Sequence, residues 1–322
     1  MGSIRLDPRQ NRSMNQGKRP LKGLQVWDRG WLSSTQVLVA PALGEAGALL
    51  FDAAHASHAE QTLALLRQGL QGRSLRAVVN THLHSDHCGG NALLQRELGA
   101  ETWVPPGQAA AARAWQGLSH QQTGQQLPRF RVDRVLDRDA VLRAGDRDWQ
   151  ALPAPGHDPH ALMYWDAENR VLIAGDALWE QGFGVVFPEL WGESAFEDAL
   201  RVLDDIERLH LAVLIPGHGP ACQDVPTALA QARRKLLGWR ADPRSHARYA
   251  AKVLIKYHLM EVRRQALDEL LDWGQGLWLV AELWSRLDPQ PAASLRDWLQ
   301  QLVEQLLQQG ALARQGDQLL DV

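Results

Sequence analysis

The stretch "NTHLHSDHCGG", Asn80 to Gly90, places three histidines and one aspartate within six residues. It follows "LRAVV", an apolar run enriched in valine that is typical of a buried strand. It precedes "NALLQRELGA", whose pattern predicts a helix with Asn91 as its N-cap and Gly99 at its end. Gly89 and Gly90 would permit a sharp turn into that helix. We therefore predict a polar, metal-binding loop where a strand ends.

The four polar side chains of this stretch form the pattern H-x-H-x-D-H, and they are His82, His84, Asp86 and His87. A regular strand would put the first three on one face and His87 on the other. A tight loop can instead direct them at two adjacent points. Imidazole and carboxylate groups suit zinc, iron and manganese, and buried ionisable groups need partners. The pattern indicates a metal site that other parts of the chain must complete.

Three further candidate ligands lie downstream, each close to the end of a predicted strand. They are His157 in "APGHDPH", Asp176 in "IAGDAL" and His218 in "IPGHGP". Loops at strand ends carry the sites of α/β folds because a rigid sheet holds them. His160 is a candidate for a contact with substrate or with a ligand. The remaining histidines are predicted to be surface or core residues: His55, His58, His120, His210, His246 and His258.

Composition places the chain among globular proteins and excludes several classes of function. Of 322 residues, 45% are hydrophobic and 22% are charged, and the net charge is −3, so there is no general attraction to nucleic acid or to an anionic membrane. Two cysteines exclude a disulfide scaffold and fit a reducing compartment. We predict Cys88 to be a small buried thiol. No apolar run matches a membrane span, and we expect a cytoplasmic protein.

The organisation along the chain suggests a tail and two domains. Residues 1–20 are polar and are predicted to form a disordered tail. Strands and helices then alternate up to about Pro220, which predicts a catalytic domain over residues 21–240. Helical patterns and two short strands around Gly316 predict a small, mainly helical, winged-helix-like domain over residues 241–322. That domain has nine basic and eleven acidic residues, a balance of −2 that favours packing, homodimerisation or a substrate lid over nucleic-acid binding.

From Leu24 to Cys222 the motif and the order of elements resemble those of the metallo-β-lactamase-fold hydrolase superfamily. The resemblance implies an α/β fold, an αββα sandwich with metal ions at one edge between its two sheets. It implies one ion on three histidines, a second ion on an aspartate and two histidines, and an aspartate bridging the two ions. These sets are, in that order, His82, His84 and His157; Asp86, His87 and His218; and Asp176.

The bridging aspartate narrows the branch of the superfamily that the chain resembles. True zinc β-lactamases usually carry a cysteine at that position, whereas branches that hydrolyse thioesters, esters, lactones or phosphodiesters, such as glyoxalase II, do not. The resemblance implies two divalent metal ions, zinc with iron or manganese as alternatives, and a metal-bridging hydroxide as nucleophile. Asp86 would be a ligand and could also carry a proton to the leaving group. Asp52 in "LLFDAAH" fits an Asp-x-Gly turn in which Ala53 and Ala54 replace the rest.

A small-molecule ester, thioester or lactone is the expected substrate. The segment "WEQGFGVVFPELWG", Trp179 to Gly192, either walls an apolar pocket or packs in the core. Arg248, Lys252 and Lys256 share one helix face, which suggests either an anion contact, as in the extension of glyoxalase II enzymes, or a solvated face. Three alternatives stay open: a phosphodiesterase or nuclease of the same fold, a mononuclear iron enzyme similar to persulfide dioxygenases, and a regulatory protein with a relic site.

Overall fold

The computed structural model of the protein describes residues 19–190, 193–287, 290 and 292–322. Residues 1–18 of the predicted tail lie outside this description, as do Trp191 and Gly192 at the end of the predicted pocket wall. None of the helices in these ranges combines the length and the apolar character that a membrane crossing needs.

The strands of the described chain form three sheets. They are β1 (Leu24–Trp27), β2 (Gln36–Val39), β3 (Ala48–Phe51), β4 (Leu75–Val79), β5 (Glu101–Val104), β6 (Arg134–Val135), β7 (Val141–Ala144), β8 (Arg147–Pro153), β9 (Leu162–Asp166), β10 (Val171–Gly175), β11 (Val213–Pro216), β12 (Arg264–Ala266), β13 (Leu312–Gln315) and β14 (Gln318–Asp321).

The helices lie outside the first two sheets and in the C-terminal part of the chain. They are α1 (Ala59–Leu70), α2 (Ser85–Cys88), α3 (Asn91–Leu98), α4 (Ala109–Ala114), α5 (Ser119–Thr123), α6 (Phe187–Leu190), α7 (Phe196–Arg208), α8 (Val225–Ala241), α9 (Pro243–Val262), α10 (Leu267–Gly276), α11 (Trp278–Ser285) and α12 (Leu295–Gln308).

Two sheets face each other in the first two thirds of the chain. The first has strand order β1-β2-β3-β4-β5-β6, antiparallel from β1 to β3 and parallel from β3 to β6. The second has strand order β11-β10-β9-β8-β7, and only the pair β10 and β11 is parallel. Because β3, β4, β10 and β11 belong to parallel pairs, the loops after them are brought to one edge of the molecule.

The alternation of side chains along the strands builds the layers. Val37 and Val39 point into a core between the two sheets, whereas Leu38 points to the opposite face and packs with α1. This is the two-residue period of a strand with both faces buried. On the outside of the second sheet, Leu203 and Ile206 of α7 pack with residues of β10 and α8. Helices therefore cover both sheets, which confirms the predicted αββα sandwich.

The C-terminal part combines α9 to α12 with a small sheet of strand order β12-β14-β13. The two strands predicted around Gly316 are confirmed as β13 and β14. The third strand, β12, was not predicted, because its residues Arg264–Ala266 are half-buried or exposed and show no apolar alternation. Val185 and Leu190 of the first part pack into the same core as these helices. The predicted boundary between residues 240 and 241 stays a prediction.

Candidate metal centre

Loops at one edge of the sandwich carry all seven predicted ligands. The first of these loops follows β4, where His82 and His84 precede the single turn α2 that carries Asp86 and His87. His157 lies between β8 and β9, Asp176 follows β10, and His218 follows β11. All seven side chains are buried. The structure therefore brings together residues that lie as far as 136 positions apart in the sequence, from His82 to His218.

Three imidazoles form a first group. The Nδ1 atom of His84 lies 3.1 Å from His82 Nε2 and 2.8 Å from His157 Nε2. These atoms can all serve as ligands of one ion, since they lie within 4.8 Å of one another. Three ring nitrogens that converge on one point cannot all be satisfied by hydrogen bonds among themselves, so a cation suits the point where they meet.

The second group contains two imidazoles and two carboxylates. His218 Nε2 lies 3.0 Å from Asp86 Oδ2, and His87 Nε2 lies 3.3 Å from Asp176 Oδ1. His87 Nε2 is fully buried and makes no hydrogen bond with a described residue. An orphaned nitrogen among carboxylates is costly to bury unless a cation or a proton occupies the space before it.

Asp176 lies between the two groups. Its Oδ2 atom is 3.3 Å from His157 Nε2 in the first group, while its Oδ1 atom is 3.3 Å from His87 Nε2 in the second. One carboxylate thus presents one oxygen to each side. The geometry is suitable for a bridging ligand of two neighbouring ions.

Contacts with neighbouring oxygen atoms hold the Nδ1 atoms of two of the candidate imidazole ligands. His157 Nδ1 lies 2.6 Å from the carbonyl oxygen of Val185, and His87 Nδ1 lies 2.7 Å from Asp52 Oδ2. A ring that donates from Nδ1 has its lone pair on Nε2. These contacts therefore leave Nε2 of both rings free to bind a cation.

Electrostatics prepare the first group for a cation. Burial, together with the neighbouring imidazole of His157, lowers the pKa of His84 to about 3. Burial likewise holds the pKa of His82 well below its usual range. Both rings are neutral at pH 7, which is the state in which imidazole binds metal ions.

In the second group the carboxylates and the imidazoles shift each other's pKa values. Burial opposes ionisation of Asp86, but His87 and His218 outweigh it and lower the pKa of Asp86 to about 2. The same imidazoles, with His157, hold the pKa of Asp176 well below its usual range despite its burial. In return, the carboxylates raise the pKa of His87 and of His218 against the effect of burial. A divalent cation would displace the imidazole protons and compensate the same carboxylates.

Two details of the opening stretch differ from the prediction. Gly89 and Gly90 have ordinary helical φ values of −61° and −81°, so they make no special turn. Glycine is needed there for space, because a Cβ would overlap the backbone of Ala56 at position 89 and of Ala53 at position 90. Asn91 is not the N-cap of α3. Its side chain instead donates to Asn80 Oδ1 at 2.7 Å, while Gly99 does end the helix, with φ of 65°.

A cavity of about 610 Å³ with a mainly apolar lining opens above the two groups. His84, Asp86, His157, Asp176 and His218 form part of its wall. Its size lies within the range of sites for small molecules. The cavity therefore gives a small molecule access to the point where the candidate ligands converge.

The aromatic segment after Asp176 has both of the roles that its sequence suggested. Trp179 and Phe187 line the cavity, and the Phe187 ring lies 5.3 Å from the His84 ring. Phe183 and Val186 are instead buried in the core between α7, α8 and the second sheet. Some residues of the segment therefore form the cavity wall, and others belong to the core.

Arg248, Lys252 and Lys256, the three cations predicted to share one face of α9, all line the cavity. Lys256 forms an ion pair with Asp321, and Arg248 lies 3.3 Å from Asp242. Lys252 has no ion pair with a described residue. This helix face is therefore part of a cavity wall rather than a simple solvated surface. Lys252 is the residue on it that is best placed to contact an anionic group.

The histidines predicted to be outside the site lie outside both groups. His55, His58, His246 and His258 are buried and His210 is exposed. His160 is exposed, and its backbone N–H donates to Asp158 Oδ1 at 2.7 Å. It does not line the cavity.

Several residues near the site were not identified from the sequence. Asp158 Oδ2 lies 3.8 Å from His84 Nε2, and its adjacency to His157 was the only local signal. Trp31 is 59% exposed and stacks on the His218 ring with centroids 5.7 Å apart. Tyr257 of α9 reaches the opening stretch, where its hydroxyl lies 3.3 Å from Ser85 Oγ. No pattern in the sequence links Tyr257 to a residue 172 positions away.

Comparisons with known proteins agree with this arrangement. The sequence model of the metallo-beta-lactamase superfamily matches residues 29–218. A hydroxyacylglutathione hydrolase of Rhodospirillum rubrum is 28% identical over 41% of this chain and 44% of its own length. One of Anaeromyxobacter dehalogenans is 30% identical over 56% of this chain and 62% of its own length. The chain therefore spans about half the length of these relatives.

Solved structures share the fold. A metallo-beta-lactamase family protein from Thermus thermophilus has a TM-score of 0.55 at 20% identity, over 93% of this chain and 99% of its own. The BLEG-1 B3 metallo-beta-lactamase has a TM-score of 0.53 at 20% identity, over 64% of this chain and 96% of its own. Since the family model covers more than half of the sequence, including every candidate ligand, the chain belongs to the metallo-beta-lactamase superfamily.

Proposed function

We propose that this protein is a metal-dependent hydrolase that cleaves a small ester, thioester or lactone. The observation that carries the proposal is the position of Asp176, which offers one carboxylate oxygen to each of two ligand groups at the floor of the cavity. Thioesters are favoured within this class, because the relatives that match the chain are named hydroxyacylglutathione hydrolases.

The seven donors fit two divalent ions. His82, His84 and His157 would hold one ion, Asp86, His87 and His218 would hold the other, and Asp176 would contact both. Zinc suits three imidazoles best, and iron or manganese would tolerate the richer oxygen content of the second group. Ions held there would polarise a carbonyl oxygen and lower the pKa of a water molecule.

Asp86 is the residue best placed to move a proton. Its Oδ2 atom lies 3.0 Å from His218 Nε2, while its Oδ1 atom makes no hydrogen bond with a described residue. With a pKa of about 2 the carboxylate is ionised at neutral pH, so it accepts a proton before it can donate one. We expect Oδ1 to take the proton of the attacking water and to pass it to the leaving group.

The cavity walls orient the substrate and exclude water. Phe187 packs against the edges of His84 and His157 and presents an apolar surface beside them. Trp31 and Trp179 meet edge to face at 5.4 Å on the side of His218. Lys252, on the wall formed by α9, would meet an anionic group on the leaving thiol or alcohol.

A turnover screen tests the proposal. The protein loaded with zinc or manganese is assayed on thioesters, lactones, aryl esters and bis-aryl phosphodiesters, with metal content measured in parallel. We expect turnover of a carbon ester or thioester by protein with two metal ions per chain, and its loss in His84→Ala. His210→Asn, at an exposed histidine with φ of 49° that asparagine tolerates, serves as the matched control.

Other results of the same screen would identify the alternatives. Turnover of phosphodiesters alone would indicate a phosphodiesterase or nuclease. One iron per chain together with oxygen-dependent persulfide consumption would indicate a dioxygenase. Either result, or metal binding without any turnover, would overturn the proposed hydrolase.

A further inference from the structure

The cavity is extended along one helix. Lining residues recur on α9 from Ser245 to Met260. At 1.5 Å per residue these positions span about 22 Å of the helix. The cavity is therefore a groove that runs from the candidate ligands along the C-terminal part of the chain, and it is longer than a small acyl group needs.

Helical spacing arranges the α9 residues that line this groove in two rows along the helix. Tyr249, Val253 and Tyr257 follow each other at four-residue intervals and form an apolar row. Arg248, Lys252 and Lys256 form a parallel row, displaced by about one quarter of a turn. The two rows lie side by side, so a molecule in the groove would meet an apolar row from Tyr249 to Tyr257 beside a cationic one.

Other elements continue the apolar surface. Phe187 lies against the candidate ligands, with its ring 5.5 Å from that of His157. Leu306 of α12 lines the groove on the side of the C-terminal helices. Val253 is half-buried and packs against the C-terminal core. Apolar side chains of the first part of the chain and of the C-terminal part thus line the same groove.

The cationic row does not make the groove an ionic channel. Lys256 Nζ is occupied by the Asp321 carboxylate and by the carbonyl oxygens of Ala311 and Val322. Arg248 contacts Asp242 at the N-terminus of α9. Two of the three positive charges are therefore balanced within the protein, and the apolar row decides what the groove takes along its length.

We propose that the groove binds the straight apolar acyl chain of the substrate, so that the enzyme prefers esters or thioesters of medium and long chain acids. This inference rests on the proposed function. In the reaction, water adds its hydroxyl group to the acyl carbon and the carbon–sulfur or carbon–oxygen bond breaks. The remaining proton goes to the departing thiolate or alkoxide, and the product acid ionises.

Chain-length dependence tests the proposal. Each methylene transferred from water to an apolar wall contributes enough free energy to raise kcat/KM about fourfold. For zinc-loaded protein and N-acetylcysteamine thioesters from acetyl to dodecanoyl, we expect kcat/KM to rise by about this factor per methylene up to octanoyl or beyond. A dependence that is flat or falling beyond butanoyl would overturn the proposal.

A variant that narrows the groove makes the test specific. Val253→Trp should reduce kcat/KM for the decanoyl thioester at least tenfold more than for the acetyl thioester. Val141→Trp, at a 60% exposed position of edge strand β7, is the matched control and should retain the profile of the natural protein. An equal loss for every chain length in Val253→Trp would indicate a general defect and count against the proposal.

Binding of a thioether that cannot be cleaved separates this inference from the proposed function. We expect S-decyl-N-acetylcysteamine to bind the zinc-loaded protein at least tenfold more tightly than the S-ethyl compound, by calorimetry, and Val253→Trp to remove the difference. That result without turnover of any thioester or ester would contradict the hydrolase and support the groove. Turnover of short acyl groups with equal binding of both thioethers would support the hydrolase and contradict the groove.

Discussion

Asp52 Oδ2 lies 2.7 Å from Nδ1 of His87, and both oxygens of the same carboxylate accept hydrogen bonds from Thr81. Asp52 adopts φ of 57° at the end of β3, a conformation that aspartate tolerates better than most residues. A residue that the sequence placed only in a turn therefore orients one of the candidate ligands.

Replacing Asp52 should weaken metal binding without removing a ligand. Asp52→Asn keeps the shape but removes the charge that holds His87, so we expect affinity for the second ion to fall by about 10- to 100-fold. Competition with a chromogenic chelator measures the change. Asp205→Asn, at an exposed position of α7, should have no effect, and an unchanged affinity in Asp52→Asn would show that the contact is only structural.

Removal of metal ions should destabilise the fold. Ions that bind only the folded chain stabilise it by about 2.7 kcal/mol at a concentration of one hundred times Kd. We therefore expect EDTA to lower Tm and zinc to restore it, with a smaller recovery in His84→Ala than in His210→Asn. A Tm that does not respond to zinc in the natural protein would argue against a metal centre in these seven residues.

Glu261 should stabilise the contact of α9 with the first part of the chain. Its buried carboxylate accepts from the backbone N–H of Gln126 at 2.8 Å and lies 3.1 Å from His55 Nε2. Glu261→Ala leaves both groups without this partner, which should reduce the free energy of unfolding by about 2–4 kcal/mol. Urea denaturation measures this, and exposed Glu269→Ala on α10 should cost less than about 0.5 kcal/mol.

His246 should contribute to destabilisation in acid. Burial, together with the charge of Lys235, lowers its pKa to about 3. Since the unfolded chain binds a proton near pH 6.5 and the folded chain does not, stability is highest above pH 6.5 and falls as the pH drops toward 3. Between pH 7.5 and 5 this one residue should cost about 2 kcal/mol.

His246→Phe provides the measurement. The variant loses the hydrogen bond from the Val186 N–H at every pH, so only the difference between urea denaturation at pH 7.5 and at pH 5 is informative. That difference should shrink by about 2 kcal/mol relative to the natural protein. An unchanged difference would mean that His246 does not titrate in this way.

Lys252 should matter only for substrates with a negative charge. For a thioester whose thiol part carries a carboxylate, Lys252→Glu should raise KM about tenfold, as expected for the loss of a hydrogen bond between charged groups. A neutral thioester of the same acyl group should be affected much less. Lys22→Glu, at an exposed position near β1, is the control. An equal effect of Lys252→Glu on the KM of both thioesters would contradict the contact between Lys252 and an anionic group.

The sequence by itself determined the H-x-H-x-D-H motif and the polar residues at the ends of predicted strands, and its resemblance to the metallo-β-lactamase-fold superfamily implied the sandwich and the convergence of the candidate ligands. Parallel strands carry their ends to the same edge of a sheet, which explains the positions of the ligands after β4, β10 and β11. The motif from His82 to His87 is also local, since one short loop fixes the spacing. Hydrophobic runs and glycines therefore locate the strands and the loops that carry the candidate ligands, whereas the order of the strands came from the structure.

The tertiary structure alone decided what surrounds those ligands. Tyr257 and Val253 reach the site only because α9 packs across the first part of the chain, and their positions on a helix resemble those of ordinary core residues. The same holds for Gly89 and Gly90, whose need for glycine comes from backbone packed against them rather than from a turn. Contacts between distant segments depend on how layers pack, and packing leaves no periodic pattern in a single sequence.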